Sequence, residues 1–268
     1  MRAFIRNIPG LVSLVFLALL SLSALLAPIL SPFTYGAQDQ GAILASPGGQ
    51  HLLGTDMLGR DLLSRLLYGA RVSLVVGFLS ALTAVFIGMV YGAISGYIGK
   101  RVDNWMMRFV DAVYALPDLL VIILISIWTG QGIVGICLAL SLVSWVGVAR
   151  VIRGEVLKLK EEAFVEAARA MGSSPLRIIF KHILPNTIGV LMVALTLRIP
   201  AVIFAESSLS FLGLGIQPPM ASWGSLAHEG WLALRFYPHL LVFPGLAIFL
   251  TVLAFNFLGE GLHEAIQG

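Results

Sequence analysis

Apolar residues in this chain fall in long runs, without the short alternations of a strand or the one-faced periodicity of a soluble helix. Six such runs are predicted to be helical: Leu11–Leu30, Val72–Ile98, Trp105–Trp128, Gly132–Val151, Leu184–Leu209 and Leu240–Leu258. About 20 residues at 1.5 Å each cover the roughly 30 Å hydrocarbon core of a bilayer, so each run reads as a membrane span. The second run carries Gly77, Gly88, Gly92 and Gly96, an interval of small residues that lets helices pack closely in lipid. Pro117 falls inside the third run, and Pro244 and Gly245 near the start of the sixth. Arg2 and Arg6 precede the first run, as in a signal peptide. Its length, about 20 residues against about 7–15 for a signal core, favours an uncleaved first helix.

Composition strengthens this reading. Of 268 residues 58% are hydrophobic and only 12% charged, with a mean hydropathy of +0.94. Soluble domains carry about a quarter charged residues, so the chain lacks the polar groups to cover a water-facing surface of its size. A net charge of +3 and a pI near 9.2 do not point to nucleic acid. The basic residues cluster between apolar runs and form no stripe with interleaved aromatics. The lone Cys137 rules out an internal disulfide framework and a CxxC site, and the five histidines show no metal-ligand spacing.

Lysine and arginine placement sets the orientation. One set of connections holds Arg2, Arg6, Lys100, Arg101, Arg108, Arg150, Arg153, Lys158, Lys160, Arg169, Arg177 and Lys181; the other holds only Arg60, Arg65, Arg71 and Arg235. The first set belongs in the cytoplasm with both termini. The segments from Ser31 to Arg71 and from Gly213 to Tyr237 then face outwards. The chain divides into residues 1–70, with the first helix and an external segment, and residues 71–268, a five-span core.

The largest cytoplasmic connection, Arg150–Lys181, must meet any partner on that side. Phe164, Ala167, Ala168 and Met171 recur at i, i+3, i+4 and i+7, the mark of an amphipathic helix. Gly172-Ser173-Ser174-Pro175 breaks it, and LRIIFKHIL forms a second short helix before Pro185. This helix–turn–helix reads as a docking element, with a surface helix at the lipid interface as the alternative.

Specific residues sharpen the picture. Glu166-Ala167-Ala168, then Gly172 four positions on, then Ile183-Leu184-Pro185, resemble the EAA loop of binding-protein-dependent ABC importer permeases. The family pattern has isoleucine two residues before the leucine; here His182 stands there. The run His182–Asn186 resembles instead the variant of the dipeptide, oligopeptide and nickel branch. Three further stretches, His51–Leu74, Gly96–Leu120 and Ser208–Gly224, resemble that branch in the same order.

The resemblance implies an all-α integral membrane protein of the type I ABC importer permease fold, with about six spans and cytoplasmic coupling helices at about residues 155–185. It implies a prokaryotic cytoplasmic membrane, a homologous second permease, two ATP-binding subunits and an extracytoplasmic substrate-binding protein. The cargo it implies is dipeptides or oligopeptides, with nickel or glutathione as alternatives. It also gives Glu166, Ala167, Ala168, Gly172, Leu184 and Pro185 the role of coupling to the ATPase. The chain contains no G-x-x-x-x-G-K-[ST] loop, so ATP and magnesium belong to the partner subunits and no cofactor to this chain. A secondary transporter would need intramembrane relays and often shows repeat halves. An intramembrane enzyme would need paired carboxylates, HExxH or G-x-S-x-G.

Ionisable residues at membrane depth point to function. Asp118, about 13 residues into the third run, and Arg198, about 14 into the fifth, are predicted at similar depth, roughly 20 Å from the cytoplasmic edge, facing a path or each other. Glu206, near the outer end of the fifth run, is a candidate path residue. His51, Asp56, Arg60 and Asp61 are candidates for receptor contact, or for a rigid cap with Leu62, Leu63, Leu66 and Leu67.

Overall fold

A computed structural model describes residues 7–130 and 132–267, and helices make up nearly all of it. Arg2 and Arg6, counted for the orientation, lie outside the described residues. In chain order the helices are α1 (Ile8–Leu25), α2 (Ala27–Leu30), α3 (Leu62–Ile98), α4 (Lys100–Tyr114), α5 (Asp118–Thr129), α6 (Ile133–Leu159), α7 (Ala163–Ala170), α8 (Pro175–Ile178), α9 (Ile188–Phe211), α10 (Trp223–Ala233) and α11 (His239–Gln267). The helices α1, α3, α6 and α11 and the run 175–211 are each long and apolar enough to cross a membrane. The side chains of Phe86, Leu124, Trp128 and Val134 stand outwards, as lipid or an apolar partner requires.

The centre of the bundle is the parallel pair α3 and α6, along which Gly88, Gly92 and Gly96 meet Trp145, Ala149 and Arg153 in the same order. A Cβ on Gly88 would stand 2.7 Å from the Trp145 carbonyl oxygen, and one on Gly92 2.4 Å from that of Ala149. On Gly96 it would stand 2.9 Å from the Arg153 carbonyl. The glycines recur every fourth residue and so share one face, and only hydrogen in place of a side chain lets the two backbones touch. At the Gly96 end of this seam Asp103 accepts from Ser95 Oγ at 2.6 Å and from the Arg153 guanidinium.

The third span differs from a single run over Trp105–Trp128. It breaks at Ala115-Leu116-Pro117, where α4 and α5 meet at 88°. Proline has no N–H to continue the ladder and disfavours helical backbone in the residue before it. Asp118 is consequently the first residue of α5, not a mid-helix residue.

The fifth span differs in the other direction. The second short cytoplasmic helix is not separate: helix runs on from Pro175 to Phe211. A π turn over Ile179–Ile183 and a 3₁₀ turn over Leu184–Thr187 absorb Pro185. The Asn186 amide donates to the His182 carbonyl at 2.6 Å, satisfying an acceptor left by the disturbed ladder.

Asn7 caps α1 by accepting from Gly10 N at 2.7 Å, and its amide donates to Glu264 at 2.7 Å, so the two ends of the described chain lie together. At the opposite end, α3 begins well before Val72, at Leu62, with Asp61 as N-cap. Leu62 packs there with Ala233 and Leu240, and α10 fills the space between α9 and α11.

Candidate functional site

Three groups of the predicted residues fall in three places. The first is the loop between α6 and α9. Val165 and Ala168 of α7 are buried against Val156, Ile178, Ile179 and Ile183, which fixes the helix to the bundle. Its outward side carries Glu166 and Ala167, both exposed, with Phe164 and Met171. The predicted apolar stripe is therefore the free face, except for Ala168, and the buried contact is made by a pair one step round the helix. Leu176 and Phe180 extend the free apolar surface beyond the turn. The turn is a Schellman motif: Ser173 N donates to the Ala168 carbonyl at 3.0 Å and Gly172 N to that of Arg169 at 2.9 Å. Gly172 has φ +76°, a conformation that costs a side-chain-bearing residue about 1–2 kcal/mol. Leu184 is buried beneath the loop and Pro185 is exposed.

The second place is the break in the third span. Arg198 of α9 lays its guanidinium against α6, with Nη2 2.6 Å from where a Cβ on Gly147 would be. Asp118 and Tyr114 lie near enough to act on it electrostatically. Asp118 and Arg198 do not make a contact ion pair, because Asp118 begins its helix at the break and is exposed there. Sequence reasoning missed the neighbouring pair: Arg150 of α6 donates to Asp111 of α4 at 2.7 Å, and its guanidinium lies 4.3 Å from the centre of the Tyr114 ring. Arg150 was legible only as a loop charge, because α6 continues to Leu159. Counted at 1.5 Å per residue, Asp118, Gly147 and Arg198 all lie about 17–21 Å from the Thr129, Ile133 and Phe211 ends of their helices. These charges share one depth, and each would cost about 2.5–3.5 kcal/mol against lipid at a helix centre. They form a polar waist that water or a partner chain must cover.

The third place is the end of the bundle where α3 begins beside α10. Asp56 accepts from Arg60 Nε and Arg65 Nη1, both at 2.6 Å. Glu229 of α10 accepts from Arg60 Nη2 at 3.0 Å, from Arg65 Nη2 at 3.0 Å and from Arg65 Nη1. His51 Nδ1 pairs with Asp61 at 3.0 Å, and Asp61 caps α3 through Ser64 N at 2.8 Å. His51, Asp56, Arg60 and Asp61 are all buried, so the charges of this loop are spent on one another. Arg65 and Glu229 complete the network; the spacing of Asp56, Arg60 and Arg65 was visible in sequence, but the partnership with a residue 164 positions away was not.

Glu206 does not line an open path. It is fully buried where α9 meets α3 and α10, with Ser210 Oγ donating to Oε1 at 2.7 Å. Ser73, Ser207 and Ser222 stand around the same carboxyl, and Ser73 also accepts from Trp223 N at 3.1 Å. Among the described residues no three His, Cys, Asp or Glu side chains are placed to hold a metal ion.

The chain is similar to known proteins in sequence and in fold. Residues 88–267 match the family described as binding-protein-dependent transport system inner membrane component. Residues 1–47 match the N-terminal transmembrane domain of oligopeptide transport permease C. The chain is 44% identical to the oligopeptide transport system permease protein OppC of Haemophilus influenzae, over 99% of this chain and 86% of that one. It is 45% identical to the dipeptide transport system permease protein DppC of Bacillus subtilis, over 99% and 83%. It is 40% identical to the glutathione transport system permease protein GsiD of Pectobacterium atrosepticum, over 99% and 89%, respectively. Among solved structures, the MetNI methionine ABC transporter in an inward-facing conformation superposes with a TM-score of 0.59 at 18% identity, covering 75% of this chain and 97% of that one.

Proposed function

This chain belongs to the inner membrane components of binding-protein-dependent transport systems, and on that premise we propose that it forms half of the translocation pathway of an ATP-driven importer of dipeptides or oligopeptides. It is a multi-pass inner membrane protein and a permease subunit that works within a transporter complex. In our reading the other half of the pathway is a homologous permease. Two ATP-binding subunits, which hydrolyse ATP with magnesium, sit on the cytoplasmic side. A receptor outside delivers the peptide, and both termini lie in the cytoplasm of a prokaryotic cell.

The observation that carries the coupling role is the two-sided α7. One side is anchored by Val165 and Ala168; the other offers Glu166 and Ala167 beside the exposed Phe164, Met171, Leu176 and Phe180. A small residue flanked by a carboxylate and apolar side chains suits a partner groove bearing a basic group. Gly172 sets the angle of the two arms, and Leu184 and Pro185 seat the second arm on the fifth span. Closure of the ATPase pair would press on this loop, and the attached spans would move between inward-open and outward-open states. Asp118 and Arg198 line the path in this reading. The outer loop with His51, Asp56, Arg60 and Asp61 meets the receptor through its shape, since its charges are internally paired. The glutathione permease relative keeps a small peptide of that kind as the second reading.

The test is purification of the tagged chain in mild detergent from its host, with mass spectrometry of what accompanies it. Recovery of a second permease and ATPase subunits, with the ATPases lost in Glu166→Arg and Gly172→Arg, is the expected result. A homo-oligomer without ATPase would overturn it.

A further inference from the structure

We propose that Arg198 and Asp118 form a weak, sequence-independent binding site for the two charged ends of a peptide in transit, Arg198 for the α-carboxylate and Asp118 for the α-ammonium. The inference rests on the peptide-import reading above and deepens it. Among the described residues, neither side chain makes a hydrogen bond or a contact ion pair. The other charges at this depth are already matched: Arg150 is held by Asp111 and by the Tyr114 ring. Among the described residues, one cation and one anion without a hydrogen bond or contact ion pair therefore remain at the break of the third span, on different helices, α9 and α5. A charge of either sign is too costly to face lipid without a partner.

The break supplies room for such a site. Irregular backbone at membrane depth persists only where protein covers it or where it borders a water-filled cavity. Gly147 adds to the opening, since any side chain there would displace the Arg198 guanidinium from its seat. The chemistry also fits the cargo class. Peptides of different sequence share little except their two termini, so a path that passes many of them gains grip only from those groups. A guanidinium pairs with a carboxylate through two parallel N–H···O bonds, and a single carboxylate suffices for an ammonium. Partial exposure keeps the site weak enough to release its cargo.

The experiment uses the complete transporter with its receptor in proteoliposomes, and three probes: trialanine, trialanine amide and N-acetyl-trialanine. The receptor is the same protein throughout, so a change in the ratio of uptake rates between probes arises in the membrane. Arg198→Gln should lower trialanine uptake about tenfold or more while leaving the slower uptake of the amide unchanged. Arg198→Lys, which keeps the charge, should retain preference for the free carboxylate. Asp118→Asn removes an exposed carboxylate that no fold contact uses, so it remains readable if Arg198→Gln fails to assemble. It should narrow the gap between trialanine and its N-acetyl form alone. Equal loss on all probes in both variants, or no loss, would overturn the proposal. Failure of the wild-type complex to take up any of the three would overturn the peptide reading, and this inference with it.

Discussion

Replacing Gly92 by alanine adds one methyl group at the tightest point between α3 and α6. The new Cβ would lie 2.4 Å from the Ala149 carbonyl oxygen and 3.0 Å from Arg153 N. Both neighbours are backbone, so no rotamer change relieves the clash. The helices must part by somewhat under 1 Å, and a gap of about 0.5–1 Å forfeits a quarter to a half of each van der Waals contact along the seam. Overpacking of this kind costs about 1–3 kcal/mol. Alanine returns up to about 1 kcal/mol in helix propensity, which leaves a net loss of up to about 2 kcal/mol. For a chain of this size that lowers the melting temperature by up to about 8 °C. The natural control is Gly154→Ala in α6, where an added Cβ meets nothing within 4 Å and only the propensity gain remains. Cys137, the chain's one cysteine and half-buried in α6, lets a thiol-reactive dye report unfolding in detergent. If Gly92→Ala melts at or above the wild type, or if Gly154→Ala falls as far, the close-contact argument is wrong.

Three further outcomes follow from the other sites. Arg65→Ala takes from the buried Asp56 one of its two guanidinium partners and leaves Arg60 alone to hold it, and should destabilise the chain by up to about 3 kcal/mol, whereas Glu229→Gln, whose side chain is 30% exposed, should cost far less; chemical denaturation separates them. Gly172→Val should abolish uptake at a stability cost of only about 1–2 kcal/mol, because the added side chain meets open space and only the backbone conformation is strained; Gly172→Asn, which tolerates positive φ, should keep most activity. Gly147→Ala should fold normally, because it meets only the mobile end of Arg198, yet slow peptide uptake by unseating that guanidinium.

The spans were legible because lipid demands unbroken apolar runs, and that demand is written residue by residue. The glycines of the second run were legible for the same reason: their spacing alone places them on one helix face. What sequence misplaced were positions decided by competition between elements. Pro117 was visible within the third run, yet the run's hydropathy masked a right-angled break and put Asp118 in mid-helix. Pro185 looked like an end, but a π turn and Asn186 carried the helix through it. The inner face of α7 was misread because Phe164 and Met171 are more apolar than Val165 and Ala168; only the position of Ile178, Ile179 and Ile183 decides which pair is covered. Glu206 looked like a path residue because a lone carboxylate in an apolar run has no visible partner. Its companions Ser73 and Ser222 come from distant parts of the chain.

The continuous helical run from the turn at Gly172 into the fifth span has a mechanical corollary. From Pro175 to Phe211 is 37 residues, a rod about 55 Å long with its foot in the docking loop. Arg198 sits about 35 Å up that rod, with no flexible linker between. A tilt of about 5° at the foot would carry the guanidinium about 3 Å sideways, off its seat on Gly147. In the coupling role proposed above, a stroke delivered at the loop would reach the waist through this helix, and grip and release of a passing charge would be two positions of a single lever.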